Sequence, residues 1–248
     1  MKKLVLSLGL LACTSAVAMA QDAGGLRIGV KVGATYSSLN GDDASQLAGP
    51  TFNSELGSYK LGYNVGIGTS FPLSSDGFFS IAPELLYNRK GYEINSAQKS
   101  GLSSPITEVE LEQKRVLHYL DLPILAKINA GGLFFELGPQ VSYLFGSKVE
   151  QQVTTKYNNG TKDKVETSSG FQDYTGVSRG DADKSDLSQF DIAGVAGIGY
   201  QTEGGLSLGL RYAQGFNSLI DSKDSDNEPK VFNNAFTLQV GYLLPLGK

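Results

Sequence analysis

Apolar and polar residues alternate along most of this chain, and the longest such run lies between Leu117 and Phe145. It predicts two strands of about a dozen residues each, since successive side chains of a strand point to opposite faces. They join at Ala130-Gly131-Gly132. On the second strand Leu133, Phe135, Leu137, Pro139, Val141, Tyr143 and Phe145 share one side. Phe134, Glu136, Gly138, Gln140, Ser142 and Leu144 share the other. On the first, Leu120, Leu122, Ile124, Ala126 and Ile128 alternate with Asp121, Pro123, Leu125 and Lys127. One unbroken apolar side over such a length suits a membrane-spanning β-strand of about 9–11 residues, apolar toward lipid and mixed toward a lumen.

Six further segments carry the same period: Leu26–Tyr36, Tyr59–Phe71, Phe78 to about Lys90, Gln189–Gln201, Leu206–Ala213 and Val231–Leu246. Connections after the second, fourth and sixth segments are short and rich in Gly, Ser and Asp; those after the first, third, fifth and seventh are long and polar. Tight turns at one end and long loops at the other are the habit of outer-membrane barrels, with both termini on the periplasmic side. Hydrocarbon tolerates no open sheet edge, so the strands must close on themselves. The expected fold is all-β: an eight-stranded antiparallel up-and-down transmembrane β-barrel over residues 21–248. Period alone does not separate a lipid-facing apolar side from one facing a soluble sandwich or lipocalin core. Three features favour lipid: the other face is rich in Gly with a few charges, aromatics bracket aliphatic centres, and Trp is absent.

Composition then narrows the class. The 248-residue chain has a formal net charge of −4 and no basic run, which argues against a nucleic-acid partner. Hydrophobic residues make up 40%, yet beyond the N-terminus no span is long and apolar enough for a membrane helix. Residues 1–20 read as a secretory signal: Lys2-Lys3, an apolar Leu4–Leu11 and an Ala18-Met19-Ala20 cleavage motif before Gln21. The alternative is lipidation at Cys13, the single cysteine. Cleavage after Ala20 leaves an exported chain with no disulfide.

Candidate chemistry is sparse. Lys31, Lys60, Glu84, Asp121, Lys127, Glu136, Asp191 and Arg211 all fall on the non-lipid side. An eight-stranded barrel is just wide enough for side chains to fill, so these charges are expected to pair as a plug, because buried charge is costly unless paired. A narrow ion path is the alternative. His118, the single histidine, with Asp121 and Ser142 raises a catalytic arrangement; nothing in the spacing fixes one, and an interfacial histidine is the expectation. One His and one Cys do not make a zinc site. Asp221, Asp224, Asp226 and Glu228 lack the spacing of a calcium loop. Asn159-Gly160-Thr161 fits a glycosylation acceptor whose rule belongs to eukaryotic secretion. Gly66-Ile67-Gly68 and Gly197-Ile198-Gly199 open no helix, so they are not phosphate loops. No cofactor, metal or enzymatic activity is expected.

The segments Val30–Tyr36, Tyr119-Leu120-Asp121-Leu122-Pro123-Ile124-Leu125-Ala126-Lys127 and Glu136-Leu137-Gly138-Pro139, together with the leader, resemble the outer-membrane β-barrel family common in Bacteroidetes, which includes porin-like proteins and the PorT group. The resemblance spans essentially the whole mature chain. It implies the outer membrane of a Gram-negative cell and no defined activity. One departure is the C-terminus, Leu246-Gly247-Lys248, where many such barrels end on an aromatic residue. The expectation is a monomer held by outer-membrane lipid, with a structural or recognition role and an extracellular or envelope protein partner at its long loops. The alternatives are a narrow porin-like channel for small solutes and a PorT-like component of a secretion or envelope-assembly machine.

Overall fold

The structure is a computed structural model and describes residues 25–41, 43, 53–173, 187–220 and 230–246. The signal segment with Cys13 and the acidic stretch from Asp221 to Glu228 lie outside the described residues. The strands are β1 (Arg27–Asn40), β2 (Asn53–Leu56), β3 (Lys60–Pro72), β4 (Phe79–Gln98), β5 (Ile106–Ala130), β6 (Leu133–Tyr157), β7 (Lys162–Ser168), β8 (Gln172–Asp173), β9 (Phe190–Gln201), β10 (Leu206–Gly215) and β11 (Phe232–Pro245). Every pairing is antiparallel. The order β1-β3-β4-β5-β6-β9-β10-β11 returns to β1 and closes a ring of 8 strands. All edges inside the ring are satisfied, as a bilayer requires.

Alternation sets which side meets lipid. Val30, Val32, Val65, Ile67, Leu122, Ile124, Leu137, Ile192, Leu208 and Val240 are all exposed on the outside. Their sequence neighbours Lys31, Asn64, Asp121, Glu136, Asp191 and Gln239 are buried inside. A water-soluble fold would reverse this. Val32 sits mid-strand with Val65 and Val240 as its cross-strand partners, which marks the middle of the apolar belt. Aromatic clusters bound it above: Tyr36 stacks on Tyr59 at 5.0 Å between ring centroids, Tyr212 lies 4.8 Å from Phe236, and Tyr143 lies 5.3 Å from Phe190. Such amphipathic rings suit the headgroup level. Phe71, expected on the outside, is buried.

The short turns are built as the sequence implies. Gly131 and Gly132 adopt φ of 62° and 92°, a region that L side chains enter only with strain, and the Asn129 side chain accepts from the Gly132 amide at 3.0 Å. Asp76 caps the turn before β4, accepting from the Phe78 amide at 3.0 Å.

Three strands run well past the belt. β4 has 20 residues, and β5 and β6 have 25 each, whereas about ten suffice to cross. The segments expected as loops, from Gly91 to about Val116 with a strand extension over Glu108–Arg115 and from Ser147 onward, are in large part strand. β5 and β6 thus extend as a ribbon of about a dozen residues above the membrane, on the order of 35–40 Å along the strand, widened on one side by the end of β4 with β2 and on the other by β7. Tyr157-Asn158-Asn159-Gly160, a hairpin-turn sequence, joins β6 to β7 at its far end, with the Gly160 amide donating to the Tyr157 carbonyl at 3.0 Å. Where ribbon meets barrel, pairing shifts from Tyr119↔Leu144 to His118↔Gly146, so Phe145 is an extra residue on β6. This β-bulge moves the inward position from Leu144 to Ser147, both fully buried.

One face of the ribbon is laced with charge. Lys156 Nζ lies 2.9 Å from Glu108 and 2.5 Å from Glu110. The hydrogen bond from Lys156 holds the Glu108 carboxyl below its ordinary range, and bonds to Glu110 and Glu108 hold Lys156 above its own. A lowered acid stabilises above its unfolded pKa and loses that contribution as pH falls through the folded value. A raised lysine stabilises below its unfolded pKa and loses that contribution as pH rises through its folded value. Amide-exchange protection at the ribbon tip is therefore expected to stay flat through neutral pH and to fall below about pH 4. Equal protection at pH 3 and pH 7 would show that these pairs hold nothing.

Candidate functional site: the filled lumen

The lumen begins, at the periplasmic end, with side chains that alternation alone sends inward: Arg27 and Lys31 on β1, Ser80 and Glu84 on β4, Lys127 on β5, Glu136 on β6 and Arg211 on β10. Four of the eight charges singled out in the sequence form one cluster. Arg211 donates from Nη1 and Nη2 to the two Glu84 oxygens, both at 2.7 Å, and from Nη2 to Glu136 Oε2 at 3.1 Å, while its Nε donates to Glu136 Oε1. Lys31 Nζ completes the group on Glu84. A guanidinium fork serves two carboxylates at once in a way an ammonium does not. Glycines make the room. A Cβ at Gly197 would stand 2.8 Å from Glu136 Oε1, and one at Gly68 would stand 3.0 Å from Lys31 Cε.

A second layer lies above and is mostly neutral. Gln239 donates to Asn64 at 3.0 Å, Asn64 to Thr35 at 3.0 Å, Thr35 to Asn88 at 3.1 Å, and Asn88 to Asp121 at 2.8 Å. Lys90 closes the chain with a 3.0 Å ion pair to Asp121. This ladder ties five strands across the lumen. Between the two layers there is a cavity of about 20 Å³ bordered by Asn88, Asp121, Gln140 and Arg211, room for about one or two waters. Higher still, Asp191 accepts from Asn233 at 3.1 Å, and Asn233 also donates to the Tyr119 hydroxyl at 3.3 Å.

The top is closed by grease. Leu39, Tyr92, Ile94, Leu117, Tyr119 and Leu144 from the strands, Val231 just before β11, and Leu187 and Leu219 from the loops form one buried apolar cluster. An isolated bridge between Leu187 and Ile220 draws the two loops together.

The other four of the expected network members do not join this cluster. Lys60 is the first residue of β3 and pairs with Glu93, above the belt rather than within it. Inward parity says which way a side chain looks, not at what depth. Lys127 stays in the lumen but meets no carboxylate: Nζ donates to Gln201 Oε1 at 2.5 Å and lies 3.9 Å from the Phe134 ring centre. Asp121 and Asp191 belong to the upper layers, apart from the Glu84 cluster. Sequence reasoning missed Lys90, because the strand was expected to end there, and the polar ladder, whose members carry no charge. His118 faces outward, 2.8 Å by Nδ1 from the Tyr87 hydroxyl and among the rings of Phe145 and Phe171. Asp121 and Ser142 face inward as register partners, so the three are not brought together. Among the described residues no group of three or more His, Cys, Asp or Glu side chains is placed to hold a metal ion.

A closed antiparallel ring, apolar outside and polar within, defines an integral β-barrel protein of the bacterial outer membrane. The chain belongs to the family described as outer membrane protein beta-barrel domain, whose model matches residues 19–221. Among solved structures it is similar to Ail, the attachment invasion locus protein of Yersinia pestis, at 11% identity and a TM-score of 0.40, covering 89% of this chain and 99% of that one. Neisserial surface protein A is similar at 10% identity and a TM-score of 0.37, covering 87% and 96%. OprG from Pseudomonas aeruginosa follows at 10% and 0.31, covering 91% and 98%. No curated protein sequence matches the chain.

Proposed function

We propose that this protein is a closed, non-conducting monomeric barrel that anchors a stiff extracellular β-ribbon, with a structural or recognition role and no catalytic step. The observation that carries the reading is the filling of the lumen at three successive depths: the ion pairs around Arg211, the ladder from Gln239 to Lys90, and the apolar cap around Leu117 and Leu144. An ion path would have to cross all three, and the cap is mostly aliphatic, which makes the passage of a bare charge costly. The ribbon supports recognition because its long paired strands present a fixed charged face at little further ordering cost on binding; its partner would be an extracellular or envelope protein. The Tyr119–Pro123 segment supports placing the chain with the Bacteroidetes-type barrels, and the Ala18–Ala20 motif supports export with cleavage after Ala20. In planar bilayers the purified protein is expected to give no steady single-channel openings. Regular openings of uniform size would overturn the closed reading in favour of a narrow pore.

A further inference from the structure

The periplasmic mouth of the barrel is a cup of about 520 Å³, bordered by Arg27, Ser70, Ser80, Lys127, Asn129 and Gln201, with Asp76 and Glu203 on the turns that frame it. That volume lies within the range of about 300–1,000 Å³ common for small-molecule sites. Deeper in the lumen, the register partner of Lys127, Glu136, is held by Arg211.

The buried charge at this end is uneven. Glu84 and Glu136 are buried carboxylates of the lumen, and both are taken: Glu84 by Lys31 and Arg211, Glu136 by two guanidinium nitrogens of Arg211. Lys127 is therefore a surplus cation, although Glu136 is its cross-strand register partner. Its side chain is nearly buried. Gln201 accepts one of the three protons that an ammonium can donate. Arg27, at the entrance, adds a second positive charge; Asp76 and Glu203 on the framing turns match the two cations in number, but among the described residues neither cation makes an ion pair. Buried charge without a counter-charge is costly, and a ligand that brings one recovers that cost. Ser70, Ser80, Asn129 and Gln201 surround the site with neutral hydrogen-bonding groups.

We propose that this cup binds a small periplasmic anion, a carboxylate or phosphate group on a molecule small enough to enter, with Lys127 as the charge partner and Arg27 guiding it in. The site is separate from recognition at the ribbon and would stand if that reading failed.

Calorimetric titration of the detergent-solubilised mature protein tests it. The probes are inorganic phosphate and an acetyl-capped alanine dipeptide with a free carboxylate; the same dipeptide with an amide end is the neutral control. Saturable binding of at least one anion is expected, and none of the amide. Phosphate alone points to a phosphorylated ligand, and the free dipeptide alone to a peptide carboxylate. Lys127→Met is expected to weaken binding about tenfold or more, the usual worth of a hydrogen bond to a charged group. It removes a surplus buried charge, and heat-dependent gel mobility verifies that it still folds. Arg27→Gln, at the rim, is expected to weaken binding as well and carries the test if Lys127→Met does not fold. No saturable binding of either anion, equal binding of the amide, or unchanged affinity in both variants would overturn the proposal.

Discussion

Replacing Arg211 by Met is expected to destabilise the folded barrel by about 3–5 kcal/mol, the usual cost of removing one partner from a buried ion pair. The reason lies in what stays behind. Arg211 supplies hydrogen bonds to both oxygens of Glu84 and both of Glu136. Without it two carboxylates share a narrow lumen with Lys31, which reaches Glu84. The cost should come from the stranded charge and not from lost pairing energy as such. The fourfold replacement Lys31→Met, Glu84→Leu, Glu136→Leu and Arg211→Met is therefore expected to recover much of the loss, since no partner of that cluster is left unpaired. Equilibrium urea unfolding in lipid vesicles, followed by the heat-dependent mobility of the folded form, measures both. An Arg211→Met barrel as stable as the wild type would mean that the cluster is solvated and the lumen open.

The second large effect is expected on the opposite face. Val32→Arg should cost about 2–4 kcal/mol, the penalty for a cation near the bilayer midplane on the lipid side of a barrel. Val32 is 55% exposed and lies between Val65 and Val240, so the new side chain has neither protein partner nor short route to water. Val32→Ala is expected to change little, because acyl chains fill the gap that a truncation in a protein core would leave as a cavity. The same unfolding measurement decides between lipid and protein on this side. If the alanine variant were the more damaging of the two, the apolar belt would be a core.

The two expectations draw on different kinds of information. That Val32 and Arg211 face opposite ways was legible in the chain, since strand geometry leaves a two-residue period no freedom once one face is apolar. The ring of eight strands, the short periplasmic turns and the inward placement of Glu84, Glu136 and Lys31 follow from the same period. Of the reach of β4, β5 and β6 above the membrane, only the charged stretch Glu108–Arg115 reads as an extension of a strand. Above the membrane both faces of the ribbon are polar enough that alternation fades, and the bulge at Phe145 shifts the inward position by one residue. The rest of the Gly91–Val116 segment and the Ser147–Tyr157 segment therefore read as loop, although they pair over most of their length.

Parity along each strand, and with it the barrel, the lipid-facing belt and the candidate lumen charges, was determined by the sequence alone, because side-chain direction in a strand is a local property. Which charges meet was decided by tertiary structure. Stagger between strands sets depth, and depth places Lys60 with Glu93, Asp121 with Lys90, and Lys127 with Gln201. The apolar cap and the periplasmic cup join residues from distant strands and loops. Their existence depends on closure of the ring, which no single segment of the chain encodes.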